Sequence, residues 1–177
     1  MKKICFLLLL LLSFPSCGTA EENRFTNREV GFSLVGPKGW QEKFDGGGQT
    51  VHYTPTPWVD FPVLTVVLED LSPEQENFSA VDFAKVILAD FQKSYKTQLV
   101  ESPTKVDVHG IEGAKFILDV ENVKRSTNKV VWMRNLFYQF RRGRKVISLM
   151  AMVEREEFDK YRKVFEEAIQ GFRWLEK

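Results

Sequence analysis

Few side chains in this sequence are of a type and spacing that could do chemistry. His52 and His109 are the only histidines. Asp107 or Glu112 could join one of them at a metal, yet no tight pair at ligand spacing accompanies either. No Gly-x-Ser-x-Gly elbow presents a nucleophile. Gly46-Gly47-Gly48 lacks the Lys-Ser/Thr of a phosphate loop and reads as a hairpin loop. The acids occur singly, on strands or on solvated helix faces. The sequence therefore predicts no catalytic residue, no metal and no cofactor, and an enzyme would have to use a site that it does not display.

The sharpest chemistry belongs to Cys17. Residues 1–16 have a basic start at Lys2 and Lys3, an apolar run from Ile4 to Leu12, and then small and turn-forming residues. That run is short of the roughly 20 residues that span a bilayer, so it reads as a signal peptide. The stretch Phe14-Pro15-Ser16-Cys17-Gly18 resembles a bacterial lipobox, in which a small residue precedes the cysteine that takes lipid. Ser16 and Gly18 fit it, whereas Phe14 and Pro15 depart from its Leu-then-small preference. Cleavage after Ala20, behind Gly18-Thr19-Ala20, is the alternative and would release a soluble protein. Cys5 lies in the discarded run, so Cys17 would be the one mature cysteine, unable to form an internal disulfide. Lipid on Cys17, palmitate included, removes that exposed thiol. The expectation is a signal peptide over 1–16, a lipid-anchored tether over 17–24 and one domain over 25–177.

Removing Lys2 and Lys3 turns the formal charge of +1 into about −1, and nothing in that balance calls for nucleic acid. The charge is unevenly placed, however. No acid occurs between Asn122 and Val153, while Lys124, Arg125, Lys129, Arg134, Arg141, Arg142, Arg144 and Lys145 are basic. Such a stretch could meet lipid headgroups or an acidic partner. A strand over Val130 to Phe140 would hold its two clusters about 36 Å apart at roughly 3.3 Å per residue, giving two small patches. Solvated hairpin tips offset by Glu154 to Asp159 are the plainer alternative. Trp58 and Phe61, in a Pro-punctuated loop, could be an exposed contact or a lid over the sheet edge. Partner-binding candidates are therefore Trp58, Phe61, Arg141, Arg142 and Arg144.

Short strands are predicted at Phe32 to Val35, Trp40 to Phe44 and Thr50 to Thr54. Val63 to Asp70 and Lys145 to Val153 are apolar on both faces, as central strands are. Glu112 to Val120 alternates with Lys115 and Asp119 and reads as covered on one face only. Ala84, Ile87, Leu88, Phe91 and Tyr95 recur at helical spacing after a Ser79/Asp82 capping pair. Phe158, Tyr161, Phe165, Ala168 and Ile169 mark a second helix from about Arg155 to Gln170, with Glu156–Lys160 and Asp159–Lys163 as four-residue pairs and Gly171 as its stop. Gly143 marks a hairpin turn in Phe140 to Val146. The fold class is α+β, with a largely antiparallel sheet flanked by helices.

In order, the chain holds a Gly-Phe-Ser strand entering Pro-x-Gly-Trp, a middle helix, a strand near His109-Gly110-Ile111-Glu112, a Gly143-Arg144 hairpin and a last helix into Gly171-Phe172-Arg173-Trp174. This series resembles the PsbP/DcrB group, which shares an α/β/α sandwich with the Mog-type Ran-binding protein. Gly171 stands where the group has Ser. The resemblance implies that Gly36-Pro37-Lys38-Gly39-Trp40 is the turn and anchor of the first hairpin, and it implies binding in an assembly, with no reaction. The leading expectation is an exported lipoprotein, held on the periplasmic or cell-surface side of a bacterial membrane, acting as a non-catalytic binding or assembly factor for a protein partner. The alternatives are an exported hydrolase-like enzyme and a free secreted small-ligand-binding protein.

Overall fold

The computed structural model describes residues 24–44, 50–57, 61–124 and 127–176. Along them come β1 (Arg24–Asn27), β2 (Phe32–Val35), β3 (Gln41–Phe44), β4 (Thr50–Thr54), β5 (Val63–Asp70), α1 (Ala80–Ser94), β6 (Thr97–Val108), β7 (Ile111–Lys124), β8 (Lys129–Arg142), β9 (Lys145–Glu154), α2 (Phe158–Gln170) and β10 (Arg173–Trp174). Seven strands form one sheet in the order β3-β4-β5-β9-β8-β7-β6, with antiparallel neighbours throughout. As their two-faced apolar pattern predicts, β5 and β9 lie inside it.

One face of this sheet carries α2 and a second sheet of three strands, β1-β2-β10. The amphipathic stripe of α2 buries Phe158, Phe165 and Ile169 there, beside Phe32 and Leu34 of β2. Phe172, just past α2, stacks on Phe140 at 4.3 Å and on Phe32 at 5.7 Å between ring centroids. Each such buried ring contributes roughly 1.5–3 kcal/mol of transfer free energy. On the opposite face α1 lies across β6, β7 and β8. It starts where Ser79 Oγ accepts from the Asp82 N–H and Asp82 accepts from the Ser79 N–H, both at 3.1 Å. Its Ala80, Ala84 and Leu88 pack on Phe116, Leu118 and Phe137. The architecture is the expected α+β sandwich.

Several local expectations are corrected. Gly36 to Trp40 is not a hairpin turn: β2 belongs to the small sheet and β3 to the large one, so this segment crosses between sheets. The third strand begins at Gln41, and Trp40 sets its ring edge against Tyr161 and Phe165 of α2 instead of closing the sheet. Gly36 is required because a Cβ there would overlap the ring of Tyr53. The strand carrying Lys115 and Asp119 is covered on both faces, with Asp119 2% exposed. Arg134 donates to its two carboxylate oxygens at 2.7 and 2.9 Å, which lets the charge be buried. On α2 the ion pairs formed are Glu157–Lys160, Arg162–Glu166 and Lys163–Glu167 in place of the two expected. A short 3-10 turn at Arg155–Glu157 precedes that helix. The hairpin at Gly143 is as expected, with φ of +59°. β1, β6 and β10 carry no pattern that the sequence reading recognised.

Candidate functional site

Of the candidate site residues, Cys17 and Trp58 lie outside the described residues, as do Arg125 and Gly46 to Gly48. Phe61 is partly buried at the entrance to β5. Arg141, Arg142 and Arg144 come together at the β8–β9 turn, at the opposite end of β8 from Lys124 and Lys129. Their guanidinium groups work on the chain's own carbonyls. Arg141 donates to Phe78 and Glu76 before α1. Arg142 donates to Gly31 at 2.9 Å and Leu175 at 3.1 Å, across the base of a cleft of about 360 Å³, and lies over Trp174. Arg144 donates to Leu71 at 3.0 Å. These bonds tie the loop before α1, the turn after β1 and the C-terminal strand to one hairpin. At the other end Lys124 pairs with Glu154 at 2.5 Å, the acidic offset anticipated for that tip.

The histidines also serve locally. His52 Nδ1 is 3.0 Å from Thr65 Oγ1, and His109 Nε2 is 2.9 Å from the Gln170 carbonyl at the end of α2. Asp107 accepts from the Gly110 N–H and Glu112 pairs with Lys105, so neither acid is turned to a histidine. Among the described residues no three His, Cys, Asp or Glu side chains converge.

The arrangement with most chemical content lies on the α1 face of the sheet. α1 reaches β9 as well, where Phe83 and Ile87 meet Val146 and Met150 packs on the cluster under the helix. The loop after β4 leans in from the far side, where Lys43 Nζ donates to the Pro57 carbonyl at 2.8 Å. Alternate residues of β4, β5, β9 and β8 make up this face of the sheet. Val67 and Met150 are half-buried apolar residues on it, and His52–Thr65 is one polar pair. The second polar group centres on Ser148, whose hydroxyl donates to Glu69 Oε2 at 3.1 Å. Directly across the β8–β9 ladder from Ser148 is Gln139. Gln139 is 1% exposed, and neither its amide nitrogen nor its amide oxygen has a hydrogen-bond partner. Thr54 Oγ1, on the same face of β4, is also buried and unpaired. Glu69 is half-buried with no cation against it among the described residues, and burial pushes its carboxyl up, offset only in part by the Ser148 bond.

Gln139, Ser148 and Glu69 are functional candidates that the sequence reading missed. Each sits alone in an apolar strand and the three are far apart in the chain. The available signal was the polar interruption itself, in Phe137-Tyr138-Gln139-Phe140, Ile147-Ser148-Leu149 and Val67-Leu68-Glu69.

No protein-family model matches the chain, and no curated protein is similar to it in sequence. Solved structures do share its shape. Cyanobacterial PsbP (CyanoP) from Synechocystis matches with a TM-score of 0.64 at 16% identity, over 93% of this chain and 98% of that one. A protein from Bacteroides thetaiotaomicron matches with a TM-score of 0.57 at 13% identity over 87% of this chain, which spans 48% of that longer protein. The Saccharomyces cerevisiae Ran-binding protein Mog1p matches with a TM-score of 0.56 at 10% identity, over 88% and 96% of the two chains. With its antiparallel sheet, helix on either face and overall match to these proteins, the chain has a PsbP/Mog-like fold.

Proposed function

We propose that this chain is an exported lipoprotein, processed at residues 1–16 and anchored through lipid on Cys17, whose domain is a non-catalytic binding factor in a protein assembly. The observation that carries the reading is that two buried polar groups on the α1 face of the sheet, the Gln139 amide and the Thr54 hydroxyl, have no hydrogen-bond partner. Two relatives in fold are in keeping with it, since Mog1p is a Ran-binding protein and PsbP-like proteins resemble this chain along nearly its whole described length. No helix among the described residues is long and apolar enough to cross a membrane. A second reading, a free small-ligand-binding protein cleaved after Ala20, is favoured by the same unpaired groups.

Fractionation and crosslinking of native membranes, on wild type and Cys17→Ser in parallel, test the proposal. Wild type is expected in the membrane fraction with one discrete crosslinked partner, and Cys17→Ser in the soluble fraction without it. Identical fractionation of the two proteins would overturn the anchor and leave the ligand-binding reading in its place.

A further inference from the structure

Arg142 is half-buried at the base of the cleft between the β1–β2 turn and the C-terminal strand, a cavity of about 360 Å³. A charge withdrawn from water normally faces an opposite one, and Arg142 has no carboxylate against it among the described residues. Nη1 alone makes its bonds, to the Gly31 and Leu175 carbonyls at 2.9 and 3.1 Å. Nε and Nη2 have no acceptor among the described residues. The guanidinium is also held in place. It lies over the Trp174 ring at 5.2 Å, and the turn closes on it so tightly that a Cβ at Gly31 would stand 3.0 Å from Nη1.

We propose that Arg142 binds a monocarboxylate in this cleft, side-on through Nε and Nη2. That edge of a guanidinium presents two parallel N–H donors, which match the two oxygens of a carboxylate. Because the carbonyls on Nη1 and the Trp174 ring fix the group beforehand, little side-chain freedom is lost on binding. Val30 and Leu175 line the same cleft and give a short apolar stem a surface. Arg28 adds a positive charge there, whereas Glu29 and Glu176, both exposed, oppose a second negative one. A dianion such as phosphate is therefore disfavoured. The carboxylate can come from a free short-chain acid or from an acidic side chain of a partner. The site stands whether or not the chain is lipid-anchored.

The full-length chain carries four tryptophans, so fluorotryptophan labelling and fluorine NMR give a direct test. Trp174 lies under Arg142, and Trp40, packed on α2, reports on the fold. Titration with butyrate is expected to move the Trp174 resonance saturably, while butyramide and inorganic phosphate leave it in place. Arg142→Lys keeps the charge but loses the two-pronged edge, and should weaken butyrate roughly tenfold or more with Trp40 unchanged. Should Arg142→Lys disturb Trp40, the double substitution Glu29→Gln and Glu176→Gln takes its place. Removing both exposed acids should tighten butyrate about threefold at low salt. Equal shifts from butyramide or phosphate, no shift from butyrate, or a butyrate affinity that these substitutions leave untouched would overturn the proposal. Tighter binding of the end-blocked peptide Gly-Gly-Glu-Gly-Gly than of butyrate assigns the site to a partner's acidic side chain, and the reverse order to a free acid.

Discussion

The two faces of the seven-stranded sheet solve the same packing problem differently. Under α2 and the small sheet, polar groups that enter the core are paired: Asp119 with Arg134, and the Tyr53 hydroxyl with Glu42 at 3.0 Å. Under α1 itself pairing also holds, since Asn135 donates to the Leu118 and Met133 carbonyls. At other residues of that same face it stops: the Gln139 amide and the Thr54 hydroxyl have no partner, and Glu69 has the Ser148 hydroxyl but no cation among the described residues. A region where buried polar groups lack partners has given up stability, and folded domains keep such regions where something binds. The contrast singles out this area of the sheet more firmly than any single residue does.

Substitutions on the two faces test this contrast. The largest effect should come from Phe140→Ala on the α2 face, where a fully buried ring stacked on Phe172 is lost; a decrease of about 3–5 kcal/mol in urea unfolding is expected. Asp119→Asn keeps the shape but removes the charge that Arg134 grips, and should cost about 2–3 kcal/mol by the same measurement. On the other face the sign should reverse. Gln139→Leu deletes two unpaired atoms and is expected to raise stability by about 1 kcal/mol, and a loss instead would mean that the amide is satisfied in solution. The smallest effect concerns pH. Because the Glu69 carboxyl titrates above its ordinary value of 4.5, its contribution is fully present below that value and is lost as pH rises through the raised one. Thermal unfolding against pH should therefore show Glu69→Gln gaining on wild type as pH rises, with no gain at the acid end.

Much of the frame was legible because burial imposes a period. β5 and β9 announced themselves by apolar residues on both faces, and α1 and α2 by their stripes and the Ser79 cap. β6 was not legible. It is an edge strand, mostly exposed, interrupted by Pro103 and by shifts in register around Glu101, so neither face carries a hydrophobic alternation. The crossover at Gly36 to Trp40 was misread because a Gly-Pro turn looks the same whether it joins two strands of one sheet or two sheets. The polar group around Ser148 was hidden for a different reason. Its polar residues become a group only when β8, β9 and β5 are set side by side, and sequence distance conceals that neighbourhood. The arginines were visible as charge, whereas their carbonyl partners depend on the tertiary fold.

The small sheet has a consequence for how the molecule comes into being. Its middle strand, β2, is flanked by β1 on one side and β10 on the other, so Phe32 pairs with Trp174 across nearly the entire described chain. A contact of that sequence separation carries a large loop-closure cost and belongs among the slow events of folding. Until the residues beyond α2 have emerged, β2 keeps a bare edge and the Phe172 socket stays open. Completion of the domain thus waits on its final strand, and a nascent chain stays pliable until nearly all of it is available.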